Sequence, residues 1–444
     1  MKQILHNGTV VSRGKAPRLI EDGAVVWENG VITAVGPAPE LLEAHPDAQR
    51  HDARGGLILP AFINAHHHIY SAFARGLSIP GNQPHDFLGI LEGTWWNIDR
   101  HLTLEQTRYS AYMTFLECIR AGVTTIFDHH ASFYAVEGSL DEIAAAALDT
   151  GVRSCLCYEI SDRDGAEKSR QSVLENARFA KWCRNEKNDL LAALCGMHAS
   201  FTISEDTMAF AREQCDGVGF HIHVCEGAYD RDHCWETYGE TVVERLNRHV
   251  ILGPDTICGH CVYLTESDRE TLAKTGTAVV HNPQSNMGNA VGVTDVLRLF
   301  QADVTVGLGT DGFTSDMLES MKHANVLMKH ENRDPSVGWN ETFAMALDNN
   351  AALAERHFGG VFGELSEGAR ADLIVMDYRP MTPLTAENVN GHLLFGTNGK
   401  NVITTVANGR ILMENREITC VDEEKLQYEC RRQAGLLWQA LGAQ

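Results

Sequence analysis

Eight apolar, strand-like runs, each followed by a stretch with helical periodicity, predict an α/β chain whose main body is a (β/α)8 TIM-type barrel. Short β-rich segments with Asn-Gly or Gly turns open and close the chain, so both termini are expected to build one small β-sandwich beside the barrel. Polar, chemically capable residues gather at the carboxyl ends of the runs, which is the end where barrel active sites lie. The expected division is residues 1–59 for the N-terminal part of the sandwich, 60–364 for the barrel, and 365–444 for the C-terminal part with a terminal helix.

The opening segment "AVVWENGVITAVG" reads as two strands about an Asn-Gly turn. The first barrel run, "GGLILPAFINAHHH", ends in His66, His67 and His68. Side chains alternate along a strand, so His66 and His68 are predicted to point together toward the barrel axis while His67 points the other way. The loop that follows carries "GTWWNID", whose Trp95 and Trp96 are candidates for an aromatic wall over a planar ring, or for core packing. The helical stretch "LTLEQTRYSAYMTFLECIRA" leads to "GVTTIFDHH", ending at His129 and His130, and "LDEIAAAALDT" leads to "VRSCLCYEI". The remaining runs are "LLAALCGMHAS" with His198, "GFHIHVCE" with His221, His223 and Glu226, and "TICGHCVYL" with His260. They are followed by "GTAVVHNPQSN" with His281 and Asn286, and by "DVTVGLGTDG" with Asp311. The closing segments "ADLIVMDY" and "VITTVANGRILMENREI" read as strands again.

Lys and Arg total 37 against 59 for Asp and Glu, a formal charge of -22, and such a surface repels phosphate backbones and anionic membranes. No nucleic-acid or membrane partner is expected. The start lacks a signal-peptide core and no apolar stretch is long enough to span a bilayer, so a soluble, cytoplasmic protein is expected. The 12 cysteines are dilute and sit in apolar runs, which suits reduced, buried thiols, and the pair in "CGHC" reads as strand residues flanking His260.

One buried histidine is usually a core residue, but histidines at the same end of successive strands are a different matter. His66 and His68, with a third imidazole from His221 or His223 and the carboxylate of Asp311, would form a nitrogen-rich site with one position open. Such a site suits one divalent ion, Zn2+ or Fe2+.

The ordered motifs "PAFINAHHH", "HIHVCE", "GHC", "HNPQSN" and "GLGTDG" resemble the amidohydrolase superfamily, in particular its ATZ/TRZ-like aminohydrolases and chlorohydrolases acting on nitrogen heterocycles. More narrowly, "ARGLSIPG", "ILEGTWWNIDR", "DHHASF", "CYEISDRDG" and "MHASFT" resemble the SsnA-type aminohydrolases. The resemblance implies His66, His68, His223 and Asp311 as metal ligands, Glu226 as proton shuttle, His260 as a substrate or oxyanion contact, and Asp311 as a second proton carrier. His221 then lies behind the ligands. It also implies a mononuclear site, because the fourth run ends in His198 where dinuclear relatives carry a modified lysine. His129, His130, His198 and Asn286 are candidates for substrate contacts. The implied activity is hydrolytic deamination of an aminated pyrimidine or purine base such as isocytosine, cytosine, guanine or 8-oxoguanine. The same site would also serve dechlorination or hydrolysis of a cyclic amide or amidine C–N bond, and a non-catalytic barrel is the remaining alternative. The expected partners are the heterocyclic substrate, water and further copies of the chain in a homodimer or larger homo-oligomer.

Overall fold

The structure, a computed structural model, describes residues 1–14 and 17–443. Parallel strands follow the eight predicted runs in order: Phe62–His67, Val123–Asp128, Arg153–Leu156, Cys195–Ala199, Phe220–Val224, Ile257–His260, Ala278–His281 and Val306–Leu308. They form a four-stranded and a five-stranded sheet. The two sheets share the fourth run, because Leu191–Ala193 pairs with the third strand while Cys195–Ala199 pairs with the fifth. A parallel bridge between Ile160 and Met197 joins the sheets there, and one between His67 and Asp311 joins the last strand to the first. At that junction the amides of Thr310 and Asp311 both donate to the His66 carbonyl, at 3.1 and 3.0 Å.

These strands are buried on both faces, as β-branched and apolar runs between a core and a helical layer should be. The helix Leu104–Ala121 shows how each layer is delimited. Thr103 and Gln106 cap its start reciprocally, and Gly122, at φ 77°, ends it in the left-handed conformation that glycine adopts without steric cost. Its inward residues, including Phe115 and Ile119, pack with Ile126 and Ile143 in the main core.

Both ends of the chain meet in one nine-stranded sheet. The joint is the antiparallel pairing of Leu57–Pro60 with Leu373–Met376. Trp27, Ile58, Val375 and Val406 form part of the core beneath it. Buried Arg153, on the third barrel strand, reaches Asp372 and so ties the barrel to this sheet. The terminal helix Glu423–Ala440 lies along Leu104–Ala121, and Trp438 donates its indole N–H to the Phe73 carbonyl at 2.8 Å, just beyond His68. Among the described residues no helix is long and apolar enough to cross a membrane.

Candidate metal and catalytic site

The carboxyl ends of the strands bring the predicted polar residues together around one point. His66 and His68 face each other across 5.1 Å between ring centroids, and the alternate residue, His67, turns away to lie 3.4 Å from the Ser315 hydroxyl. Several residues at the rim depart from ordinary strand geometry. His260, Asp311 and Cys225, which precedes Glu226, have φ of 67°, 54° and 47°, a conformation that non-glycine residues adopt at a cost. The bends turn the chain at the ends of the strands, so their side chains meet over the barrel mouth instead of continuing its walls.

The donor set fits a divalent cation. His68 donates Nδ1–H to the His129 carbonyl at 2.6 Å, and His223 donates Nδ1–H to the His198 carbonyl at 2.9 Å. Each ring therefore presents its other nitrogen forward, and these two Nε2 atoms lie 3.1 Å apart. Two neutral imidazoles would set lone pair against lone pair there. Asp311 Oδ1 is 3.0 Å from His68 Nε2 and 3.6 Å from His66 Nε2, and the latter is buried without a hydrogen-bond partner. His66 is fixed from behind by His221, whose Nε2 lies 2.8 Å from His66 Nδ1. Burial pulls the His68 imidazole down, but the neighbouring Asp311 carboxylate outweighs it and raises the group to about 9, so in the absence of a metal a proton relieves the clash. Three imidazole nitrogens and a carboxylate converging with every second nitrogen spoken for is the arrangement in which zinc or iron is held.

A second cluster adjoins the first. Glu226, His260 and Asp311 bring one atom each within 4.8 Å of one another. His260 donates Nδ1–H to Asn286 Oδ1 at 2.8 Å, leaving a buried, unpartnered Nε2 that faces Glu226 Oε2 at 3.5 Å and Asp311 Oδ2 at 3.8 Å. Burial raises the Glu226 carboxyl to about 7, where a group exchanges protons readily in neutral solution. Although burial also pushes Asp311 upward, His68, His66 and His260 hold it well below the usual carboxylate range. The short helix Pro283–Gly288 that begins in "HNPQSN", with Asn289 just after it, supplies the supports: Ser285 donates to Asp311, and Asn289 donates to Glu226 at 3.3 Å.

The cavity above these clusters is walled by Trp95, Trp96, Phe87, Phe313, His198 and Glu159, among others. Of the residues picked out from sequence as substrate contacts, Trp95, Trp96 and His198 border it. Asn286, His129 and His130 do not. Asn286 is fully buried and spends its carboxamide on His260 and Thr294. His129 donates to the Met197 and His221 carbonyls behind the donor set, and His130 bonds Ser132. His281 is buried below the site with neither ring nitrogen partnered, and Cys258 and Cys261 are free, buried thiols flanking His260. Sequence reasoning passed over Glu159, Asp99 and Arg163. Glu159 is the last polar residue of the third run, "VRSCLCYEI", and the criterion that singled out the other strand ends applies to it equally.

Residues 57–412 match the family described as "Amidohydrolase family". The chain belongs to the amidohydrolase family. A second, short match, to the bacterial imidazolonepropionase-like composite domain, covers residues 23–48. This amidohydrolase is 32% identical to a 5'-deoxyadenosine deaminase of Methanosarcina barkeri over 441 residues, 97% of each chain. It is 35% identical to a 5-methylthioadenosine/S-adenosylhomocysteine deaminase of Thermococcus onnurineus over 374 residues, covering 83% of this chain and 85% of that one. In fold, it matches the structure of an adenosine deaminase from Xanthomonas campestris with bound Zn, with TM-score 0.85, 21% identity and 98% of both chains covered. The chain is a hydrolase acting on C–N bonds in cyclic amidines.

Proposed function

We propose that this amidohydrolase hydrolytically deaminates an adenosine-type purine, replacing the ring amino group by oxygen from water and releasing ammonia. The observation that carries the reading is the convergence of Glu226, His260 and Asp311 on one gap beside the donor set. His260 Nε2 and the two carboxylates are all acceptors there, so the gap suits a water molecule that donates its protons. The relatives that act on adenosine-type compounds support the choice of substrate over the pyrimidines and guanine-type bases expected from sequence.

His66, His68, His223 and Asp311 would hold the ion, which we take to be zinc, as in the Xanthomonas structure. When bound, it supplies the Lewis acidity that makes water a nucleophile at neutral pH. Glu226 takes a proton from the water and delivers it to the ring nitrogen next to the amino-bearing carbon, making that carbon electrophilic. His260, fixed by Asn286, orients the attacking oxygen. Asp311 carries the second proton toward the departing amine, so one water and one amine become one oxo product and one ammonia.

The test is an ammonia-release screen on protein of measured zinc content, with adenosine, 5'-deoxyadenosine, guanine and isocytosine as substrates. Turnover of the adenosine compounds is expected. Turnover confined to guanine or isocytosine would move the substrate class back to the bases, and no ammonia from any of the four would defeat the deaminase reading.

A further inference from the structure

Glu159 borders the cavity although only 3% of its surface is exposed. Its Oε1 accepts from Arg163 at 3.3 Å, while Oε2 receives no hydrogen bond among the described residues. His129 Nδ1 lies 3.6 Å from Oε2. That nitrogen makes no hydrogen bond, and His129 is held in place by its other nitrogen, Nε2, which donates to the Met197 and His221 carbonyls at 2.9 and 3.2 Å. Oε2 is therefore a carboxylate oxygen aimed at the cavity with its lone pairs uncommitted.

Its partner is equally fixed. Arg163 donates to both oxygens of buried Asp99, at 3.3 and 2.5 Å, and its guanidinium lies over Trp96 at 4.9 Å and Phe133 at 4.3 Å. Asp99 is spent on Arg163, and Arg163 is spent on two carboxylates, so neither can turn to meet a ligand. No Lys or Arg borders the cavity among the described residues, whereas Glu159, Glu226 and Asp311 all do.

We propose that Glu159 determines substrate specificity: Oε2 accepts a hydrogen bond from a donor group of the substrate, and the acidic wall it forms excludes anionic substituents such as phosphate. The proposal rests on the deaminase reading for the identity of the heterocycle. An adenine joined to its sugar through a ring nitrogen has no ring N–H of its own, so on an adenosine-type substrate the donor is the ribose 2'- or 3'-hydroxyl. On a guanine-type base it is a ring N–H. Either way the substrate is uncharged.

Binding separates this proposal from turnover. Zinc-loaded protein carrying Glu226→Gln is titrated calorimetrically with adenosine, 2',3'-dideoxyadenosine, adenosine 5'-monophosphate and guanine, with and without Glu159→Leu or the isosteric Glu159→Gln. Glu159→Leu is expected to weaken the donor-bearing ligand by about tenfold or more while moving dideoxyadenosine less than about twofold. Loss on adenosine alone assigns the ribose as donor, and loss on guanine alone assigns the ring N–H. Glu159→Gln, which keeps an oxygen toward Arg163, should narrow the preference for adenosine over its monophosphate by about tenfold. Equal changes across all four ligands, or none, would overturn the proposal. So would a fall in zinc content on Glu159→Gln, which would make Glu159 a metal ligand. Absence of binding by any ligand to the Glu226→Gln protein would overturn the deaminase reading and this proposal together, whereas binding without discrimination by Glu159 overturns the proposal alone.

Discussion

At the scale of single residues, the three adjacent histidines separate by direction. His66 and His68 contribute nitrogens to the shared donor set, and His67 lies against Ser315 on the other side of the strand. His66→Ala or His68→Ala should leave protein that retains less than about a tenth of the wild-type metal after dialysis, since each removes one of the four proposed ligands. His67→Ala should retain it fully, and metal loss from that variant would show that the strand register is wrong. The division between His66, His67 and His68 was legible because a strand has a period of two whatever surrounds it. The partner of Asn286 was not. A carboxamide beside a barrel mouth serves a ligand or a neighbour equally well on paper, and only the fold brings His260 Nδ1 within 2.8 Å of it. Glu159, Arg163 and Asp99 were harder still, because Asp99 and Arg163 are 64 positions apart in the chain and no local pattern couples them.

At the scale of elements, the long helices and buried strands were readable from periodicity, and the segment between His68 and Leu104 was not. Ile69–Ala74 is one short turn, and residues 87–99 form a helical stretch whose repeat is broken in the middle by a wide turn at Leu91–Trp95. Yet this segment carries Trp95, Trp96 and Asp99 to the cavity. The eighth strand makes the opposite point, since "GLGTDG" has a glycine where packing demands one. A Cβ on Gly309 would stand 2.4 Å from Asn282 Oδ1 and 2.9 Å from the His66 Cβ. Gly309→Ala is accordingly expected to push the first strand outward, at about 1–3 kcal/mol of stability, and to lower zinc affinity measured by competition with a chelator. Unchanged affinity would mean that His66 tolerates displacement and that its position is less constrained than its contacts imply.

At the scale of the whole molecule, the barrel and the terminal sheet are joined by a buried charge pair as well as by apolar packing. Arg153 is fully buried, and removing its partner would strand an uncompensated cation. Asp372→Ala should cost about 3–5 kcal/mol, read as a lowered urea midpoint, and a cost below about 1 kcal/mol would show that the pair is dispensable. The number and order of barrel strands could be counted in the sequence because each run is bounded by its own helix. The order of strands in the terminal sheet could not, since it is set by the pairing of residues 57–60 with 373–376, which are more than 300 positions apart. On the proposed reading, the buried Glu226 carboxylate beside the donor set moves the proton of water onto the ring. The most direct test of that step is ammonia release from adenosine by wild-type and Glu226→Gln protein of equal, measured zinc content. The variant is expected to keep its zinc and lose activity by about 100-fold or more, the scale of a removed general acid–base group. Activity within about tenfold of wild type at full zinc occupancy would contradict that step.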